Sequence, residues 1–312
     1  MPRRETLRKR AAAGLVVLGV SCVGVALVPT VDAGPTRVQF VGWAPPAWHP
    51  QAGALESLAE MDQAPMGRVS GLSARSSYLY DVDSGEVLHA ANADDRRPVA
   101  SLTKLTTALA WASEGKELQE SYCVDSRFYP TRSGAYSKLS TGECYRGWDL
   151  LGAALVSSDN RGAYGVQVAS GLSFDRFIGR MDQVSWELGM TQSTWAEPSG
   201  LDDENLSTAR DMAKAALAVS AHPTLSIPAT SATWRLEQAD GTLNRELYAT
   251  DRLVARRDLE LLAGKTGYTD TAGYCFAGVV RTRQGRTVAF SVLGAPSSNK
   301  RWADVDRLLE SL

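Results

Sequence analysis

Three short triplets hold the residues able to do chemistry in this chain: Ser101-Leu-Thr-Lys104, Ser158-Asp-Asn160 and Lys265-Thr-Gly267. Residues three apart on a helix share a face, so the amine of Lys104 can reach the hydroxyl of Ser101. A protonated amine cannot take the serine proton. Burial and a nearby second cation, for which Lys265 is the candidate, would lower the proton affinity of Lys104 until a neutral base is available. Ser101 then becomes a nucleophile toward amides without the help of a histidine. Ser158 is placed to relay a proton to the leaving nitrogen, and the Asn160 side chain to position the substrate amide. Lys265 and Thr266 suit an anionic group, most simply a substrate carboxylate, through charge-assisted hydrogen bonds. Gly267 leaves room for a substrate backbone. The backbone N–H groups of Ser101 and Tyr268 are candidates for an oxyanion hole.

Taken singly, each triplet has a plainer explanation. Ser101 precedes the apolar run Leu102 to Ala112 and suits a helix N-cap, a role compatible with nucleophilicity. Ser158 to Asn160 reads as a polar turn between helix and loop, and Lys265 as a solvated strand-end lysine. The three triplets lie far apart in the chain, so separate elements must carry them to one cleft. From Ser76 the pattern alternates as a hairpin does, with Tyr78-Leu-Tyr80 and Glu86-Val-Leu-His89 flanking Asp83-Ser-Gly85. Helical periodicity fills Trp148 to Val168, Phe174 to Leu188 and Ala209 to Ala221. Strands return at Leu259 to Thr266, Tyr274 to Val280 and Thr287 to Leu293, and a last helix runs from Lys300 to Leu312. Strands at both ends of the domain with helices between them imply an α+β fold. Its sheet is mostly antiparallel and flanked by helices, and a helical subdomain carries Ser158 across the cleft.

At this level of detail the chain resembles the low-molecular-mass, serine-type penicillin-binding D-alanyl-D-alanine peptidases, the peptidase S11-like group. The stretches that carry the resemblance are Arg97-Pro-Val-Ala-Ser-Leu-Thr-Lys-Leu105, Leu155-Val-Ser-Ser-Asp-Asn-Arg161, Leu188-Gly-Met190, Glu197-Pro-Ser-Gly-Leu201, Ser207-Thr-Ala-Arg-Asp211 and Gly264-Lys-Thr-Gly-Tyr-Thr-Asp-Thr-Ala-Gly-Tyr-Cys275. They cover the chain from about Ala74 to its end. The resemblance implies a β-lactamase/transpeptidase-like fold. It implies acylation of Ser101 by peptidoglycan stem peptides that end in, or are cross-linked through, D-Ala, with β-lactams as covalent mimics and no cofactor. Lys104 is then the base, Ser158 and Asn160 the relay and positioner, and Lys265 the carboxylate partner. The chain ends just past the last expected helix, and the Ser-Asp-Asn-Arg and Glu-Pro-Ser-Gly-Leu wording is closer to enzymes that cut cross-links. Both features favour the DD-endopeptidase over the DD-carboxypeptidase branch.

Two other readings compete. A class A β-lactamase shares the Ser-Asp-Asn triplet, but Glu197 is followed by Pro198-Ser-Gly-Leu201 and lacks the Glu-x-x-Leu-Asn pattern that would hold a hydrolytic water. A wall-binding module that had lost turnover would keep the fold, and the intact Ser101, Lys104 and Lys265 speak against it. His49, His89 and His222 show no metal-ligand spacing, so no metal site is expected. A Gly-x-Ser-x-Gly elbow is also absent.

Arg3, Arg4, Arg8, Lys9 and Arg10 precede an uncharged run from Ala11 to Val28, as in an export signal or an uncleaved anchor to the membrane. Residues 1–33 are therefore read as leader or anchor, with Val31-Asp-Ala33 a cleavage site. Export would place the protein in the periplasm or on the outer face of the cytoplasmic membrane. Residues 34–73, rich in Pro, Gly and Ala and carrying Trp43 and Trp48, are read as a tether, and residues 74–312 as the catalytic domain. Export permits disulfides, and Cys123 and Cys144 are open to two readings, a bridge or two thiols. A bridge closing this loop would add about 3 kcal/mol. Cys275 reads as a packed core residue. With 312 residues, 44% hydrophobic, 22% charged and a net charge of −2, nothing basic suggests nucleic acid.

Overall fold

Strand β11 (Thr287–Ala295) is buried at every position, the mark of a central strand covered on both faces. It pairs antiparallel with β1 (Ser76–Asp81) on one side and β10 (Gly273–Thr282) on the other. Antiparallel β2 (Glu86–Ala91) and β9 (Leu259–Thr269) complete the order β2-β1-β11-β10-β9. Alternation of side chains across β11 sends Val288, Phe290 and Val292 to one face, where they meet Trp302, Val305 and Leu308 of the C-terminal helix Ser298–Glu310. Ala289 and Leu293 face the larger core on the other side. Each Val, Leu or Phe buried this way contributes roughly 1.5–3 kcal/mol. The computed structural model describes residues 58–115, 118–128 and 137–312.

Helix α1 (Thr103–Ser113) is buried along its whole length and runs through the larger core. Such a helix is positioned by packing on all sides, which gives its first turn little freedom. The helical subdomain holds α2 (Gly147–Leu155), α3 (Asn160–Ala169) and α4 (Phe174–Glu187). Against α2 lies the hairpin β7–β8 (Thr233–Glu237, Leu243–Tyr248), where Trp148 meets Trp234 with ring centroids 4.9 Å apart. Two-residue strands β3 (Arg97–Pro98) and β6 (Leu206–Ser207) pair antiparallel, and in the short ribbon β4–β5 (Ser121–Cys123, Cys144–Arg146), Cys123 and Cys144 are register partners and are joined by a disulfide. Cys275 is buried and free, as a core residue should be.

The sequence differs from the structure in two places that bear on the site. The single helical stretch expected from Trp148 to Val168 is two helices, broken by a turn in which Ser158 adopts left-handed backbone, φ 60°. Asp159 caps the second helix, accepting from Gly162 N at 3.1 Å. Short polar side chains compete for backbone groups and so favour such a break. The packed domain also begins earlier than residue 74. Leu58 and Met61 are buried in the main core, and the buried Lys214 Nζ donates to Asp62 Oδ1 at 2.8 Å. Val69 N donates to His89 Nδ1 at 2.8 Å, and Ser73 N donates to Asp304 Oδ1 at 2.9 Å. Composition suggested a tether here, but two apolar side chains and a row of satisfied donors hold the segment down. The leader at 1–33 and the rest of the tether at 34–57, with Cys22, Trp43, Trp48 and His49, lie outside the described residues. Among the described residues no helix is long and apolar enough to cross a membrane.

Candidate active site

Ser101 sits in one 3-10 turn, Ala100–Leu102, that leads into α1. Its hydroxyl does not cap that helix. Thr103 Oγ1 closes the turn by donating to Ala100 O at 2.8 Å, and Ser101 Oγ lies 2.8 Å from Lys104 Nζ. Ala100 holds φ 49°, a left-handed conformation that costs about 1–2 kcal/mol for a non-glycine residue. The nucleophile turn is thus held in place by its surroundings rather than by local preference.

Lys104 is fully buried. Besides Ser101, its Nζ meets Asn160 Oδ1 at 2.8 Å and Ser199 O at 2.6 Å. Burial pushes its proton affinity down to about 8, while the Glu197 and Asp159 carboxylates act in the opposite direction. A neutral amine has two N–H groups and one lone pair. With the N–H groups on Asn160 Oδ1 and Ser199 O, both acceptors only, the lone pair is left for the Ser101 hydroxyl.

Across the cleft, Lys265 Nζ donates to Ser158 Oγ at 2.8 Å and to Thr266 O at 3.0 Å. Its proton affinity falls well below the usual lysine range, first through burial and then through the charge of Lys104, with Asp251 opposing. The sequence suggested that Lys265 would depress Lys104. In the structure burial does most of that work, and the repulsion between the two lysines bears on Lys265. The left-handed turn explains the Ser-x-Asn pattern. Ser158 faces Lys265 and Asn160 faces Lys104, while Asp159 between them accepts from Ser137 Oγ at 2.8 Å and caps α3.

Gly267 has a second reason to lack a side chain. A Cβ there would lie 2.8 Å from Val99 O and 3.2 Å from Ser101 N, so β9 and the nucleophile turn touch backbone to backbone. Thr266 Oγ1 and Thr250 Oγ1 share a 2.5 Å hydrogen bond. Ser101, Ser158, Thr266, Gly267 and Tyr268 all line one cleft of about 280 Å³, joined by Thr250, Tyr274 and Arg301. Tyr268 is half exposed at its rim, its ring 4.2 Å from that of Tyr274 and its hydroxyl donating to Asp270 Oδ1 at 2.7 Å.

Residues 61–297 match the model of the family described as D-alanyl-D-alanine carboxypeptidase, peptidase S11. The chain belongs to this family. It is 30% identical over 256 residues to the D-alanyl-D-alanine endopeptidase of Escherichia coli K12, covering 82% of each chain. It is 30% identical over 238 residues to the D-alanyl-D-alanine endopeptidase of Pseudomonas aeruginosa, covering 76% of each. The crystal structure of the Streptomyces K15 DD-transpeptidase superposes with a TM-score of 0.70 at 22% identity, over 78% of this chain and 98% of that one, a likeness of fold.

Two residues of this S11 peptidase's site carried no motif that sequence reasoning could use, and a third lay in a recognised stretch without its role being read. Thr250 and Arg301 reach the cleft from a loop and from the first turn of the last helix. Arg301 is buried, with Nη1 3.3 Å from Cys275 O, and its Nε has no partner among the described residues. Glu197, which the sequence alone leaves as an ordinary loop carboxylate or a weak supporting residue near the site, is 2% exposed. It accepts from Ser199 N at 2.7 Å, Ser199 Oγ at 2.6 Å, Leu201 N at 2.8 Å, Asn205 Nδ2 at 2.6 Å and Gly200 N. Carboxylate oxygens filled by protein donors hold no hydrolytic water, which removes the main support for a class A β-lactamase. Its signal in the sequence was the run Glu197-Pro-Ser-Gly, a carboxylate just ahead of a turn full of free N–H groups.

Proposed function

We propose that this S11 peptidase cleaves D-alanyl amide bonds of peptidoglycan through an acyl-enzyme on Ser101, and that its substrate is the cross-link between neighbouring stem peptides. The observation that carries the chemistry is the buried Lys104 amine, whose two other partners are acceptors and whose remaining position faces Ser101 Oγ. Ser101 Oγ attacks the scissile carbonyl carbon and passes its proton to Lys104 Nζ. The negative oxygen that forms is met by the backbone N–H groups of Ser101 and Tyr268. The C–N bond breaks as Ser158 donates its hydroxyl proton to the leaving nitrogen and is resupplied by Lys265, 2.8 Å away. Water then attacks the Ser101 ester, its proton passing through Ser158 back to Lys265 while Lys104 returns its proton to Ser101 Oγ as the ester C–O bond breaks, which restores the starting enzyme. The sequence pointed to Lys265 for a substrate carboxylate, but its buried Nζ is turned to Ser158 Oγ and Thr266 O. Thr266, Thr250 and the guanidinium of Arg301 line the cleft instead with donors and positive charge for that group. The endopeptidase relatives support the choice of the cross-link. The same chemistry makes β-lactams covalent inhibitors, and residues 1–33 would export the enzyme to the periplasm or hold it to the outer face of the membrane.

The test is the intact mass of the protein after brief exposure to a penicillin, beside the Ser101→Ala variant. A lasting adduct on the wild type alone is the expected result. Cross-linked and uncross-linked muropeptides then separate endopeptidase from carboxypeptidase activity. Rapid loss of penicillin without an adduct would make the protein a β-lactamase, and untouched penicillin would make it a non-catalytic wall-binding protein.

A further inference from the structure

Glu197 takes no part in the steps above, yet its turn touches the nucleophile helix twice and the nucleophile turn once. Ser199 O accepts from Lys104 Nζ at 2.6 Å. Pro198 O accepts from Thr107 Oγ1 at 2.7 Å, one helical turn further along. Gly200, at φ 86°, lies so close to the nucleophile turn that a Cβ on it would sit 1.9 Å from Ala100 O and 2.9 Å from Ser101 N. Apart from the small ring of Pro198, a turn of Pro, Ser and Gly has no apolar side chain with which to hold such a position. Its anchor is the carboxylate, whose Oε2 takes the N–H and hydroxyl of Ser199 and whose Oε1 takes Leu201 N, Gly200 N and the Asn205 amide. Asn205 is fixed in turn, since its Oδ1 accepts from Ala196 N at 2.8 Å.

Every group facing these two oxygens is a donor. An ionised carboxylate can accept from all of them, whereas a protonated acid or a primary amide would set donor against donor in a buried space. We propose that Glu197 is a positioning residue for acyl transfer: by gathering the donors of residues 199–205 it fixes the Ser199 carbonyl on Lys104 and presses Gly200 against the turn that carries Ser101. This rests on the roles given above to Ser101 and Lys104.

Besides holding the turn, the Glu197 charge lies near enough to Lys104 to act on its proton affinity. The charged groups around the Lys104 amine come from three elements: Glu197 from this turn, Asp159 from the start of α3, and Lys265 from β9. Glu197 favours the protonated amine. Removing its charge therefore moves the rising limb of acylation to lower pH, even as loss of geometry slows the plateau.

The experiment is the second-order rate of benzylpenicillin acylation of the full chain from pH 5 to 10, for wild type, Glu197→Gln and Glu197→Asp. Near-UV circular dichroism and thermal melting report the fold. The expected result is a folded Gln variant with a plateau slowed roughly tenfold or more and a limb displaced to lower pH, and an Asp variant that keeps the limb and recovers part of the rate. A folded Gln variant with wild-type rate and limb overturns the proposal. Should the Gln variant not fold, the Asp variant decides: slowed acylation with the limb in place supports the proposal, and the wild-type rate overturns it. Failure of the wild type to acylate overturns the Ser101 reading itself, and this inference with it.

Discussion

A lysine acts as a base only when the protein makes its charge costly, and Lys104 meets that condition by complete burial. The nearby carboxylates of Glu197 and Asp159 keep the shift moderate, leaving the amine at about 8. The two lysines of the site thus divide the work. Lys104 can exchange a proton near neutral pH, and Lys265 stays close enough to Ser158 to hold its hydroxyl. The sign of the pH effect follows, because the active form of Lys104 is the neutral one and its fraction rises with pH. The acylation rate of the wild type should climb almost tenfold per pH unit up to about 8 and level off above it. Stopped-flow or quenched mass measurements with a penicillin would show the limb. A flat profile between pH 6 and 9 would mean that another group takes the serine proton.

At the scale of elements, the site is a junction between backbones, and glycines mark where they meet. Gly267 on β9 lies against Val99 and Ser101 with no space for a methyl group, so Gly267→Ala must push strand and nucleophile turn apart. Overpacking of this kind costs about 1–3 kcal/mol, and a shift of a few tenths of an ångström at Ser101 should slow acylation at least tenfold. Paired melting and acylation measurements on the variant check both, and unchanged acylation would show that the turn yields freely. Much of this architecture was legible in the sequence. The alternation of β1 and β2, the strand runs of β9, β10 and β11, the helical period of Ala209 to Ala221 and the three triplets each report a local pattern, and local patterns survive folding. The break at Ser158 showed only as the plainer reading of Ser158 to Asn160 as a polar turn, because the helical periodicity on either side suggested one continuous helix where residues 156–159 separate two, with Ser158 in left-handed backbone. Thr250 and Arg301 were hidden for another reason. Their meaning comes from partners brought close by the sheet and helices rather than by neighbours in the chain, as when Thr250 meets Thr266 and Arg301 meets Cys275.

Over the whole molecule, several ionisable groups are buried for reasons outside the reaction, and they couple stability to pH. Asp149, 4% exposed between α2 and the hairpin β7–β8, has one oxygen without a partner among the described residues. Burial pushes it up to about 7. Its unfolded value lies near 3.8, so between those two values the folded state keeps a proton that the unfolded state releases. Stability from this group therefore falls as pH rises through that window. His89 and His222 act in the opposite sense. Burial lowers both to about 4, so they cost stability as pH falls from 6.5 toward 4. The two trends offset each other in the wild type, and a single variant is needed to separate them. Asp149→Asn keeps the shape and removes the charge. Its melting temperature relative to wild type should rise steadily from pH 4 to pH 7 and then stay level. The full difference is on the order of a few kcal/mol, with each kcal/mol worth about 2–4 °C for a domain of this size. Differential scanning calorimetry across that range reads the difference directly. A constant offset would mean that Asp149 finds a proton donor or water in solution and stays ionised in the folded state across this range.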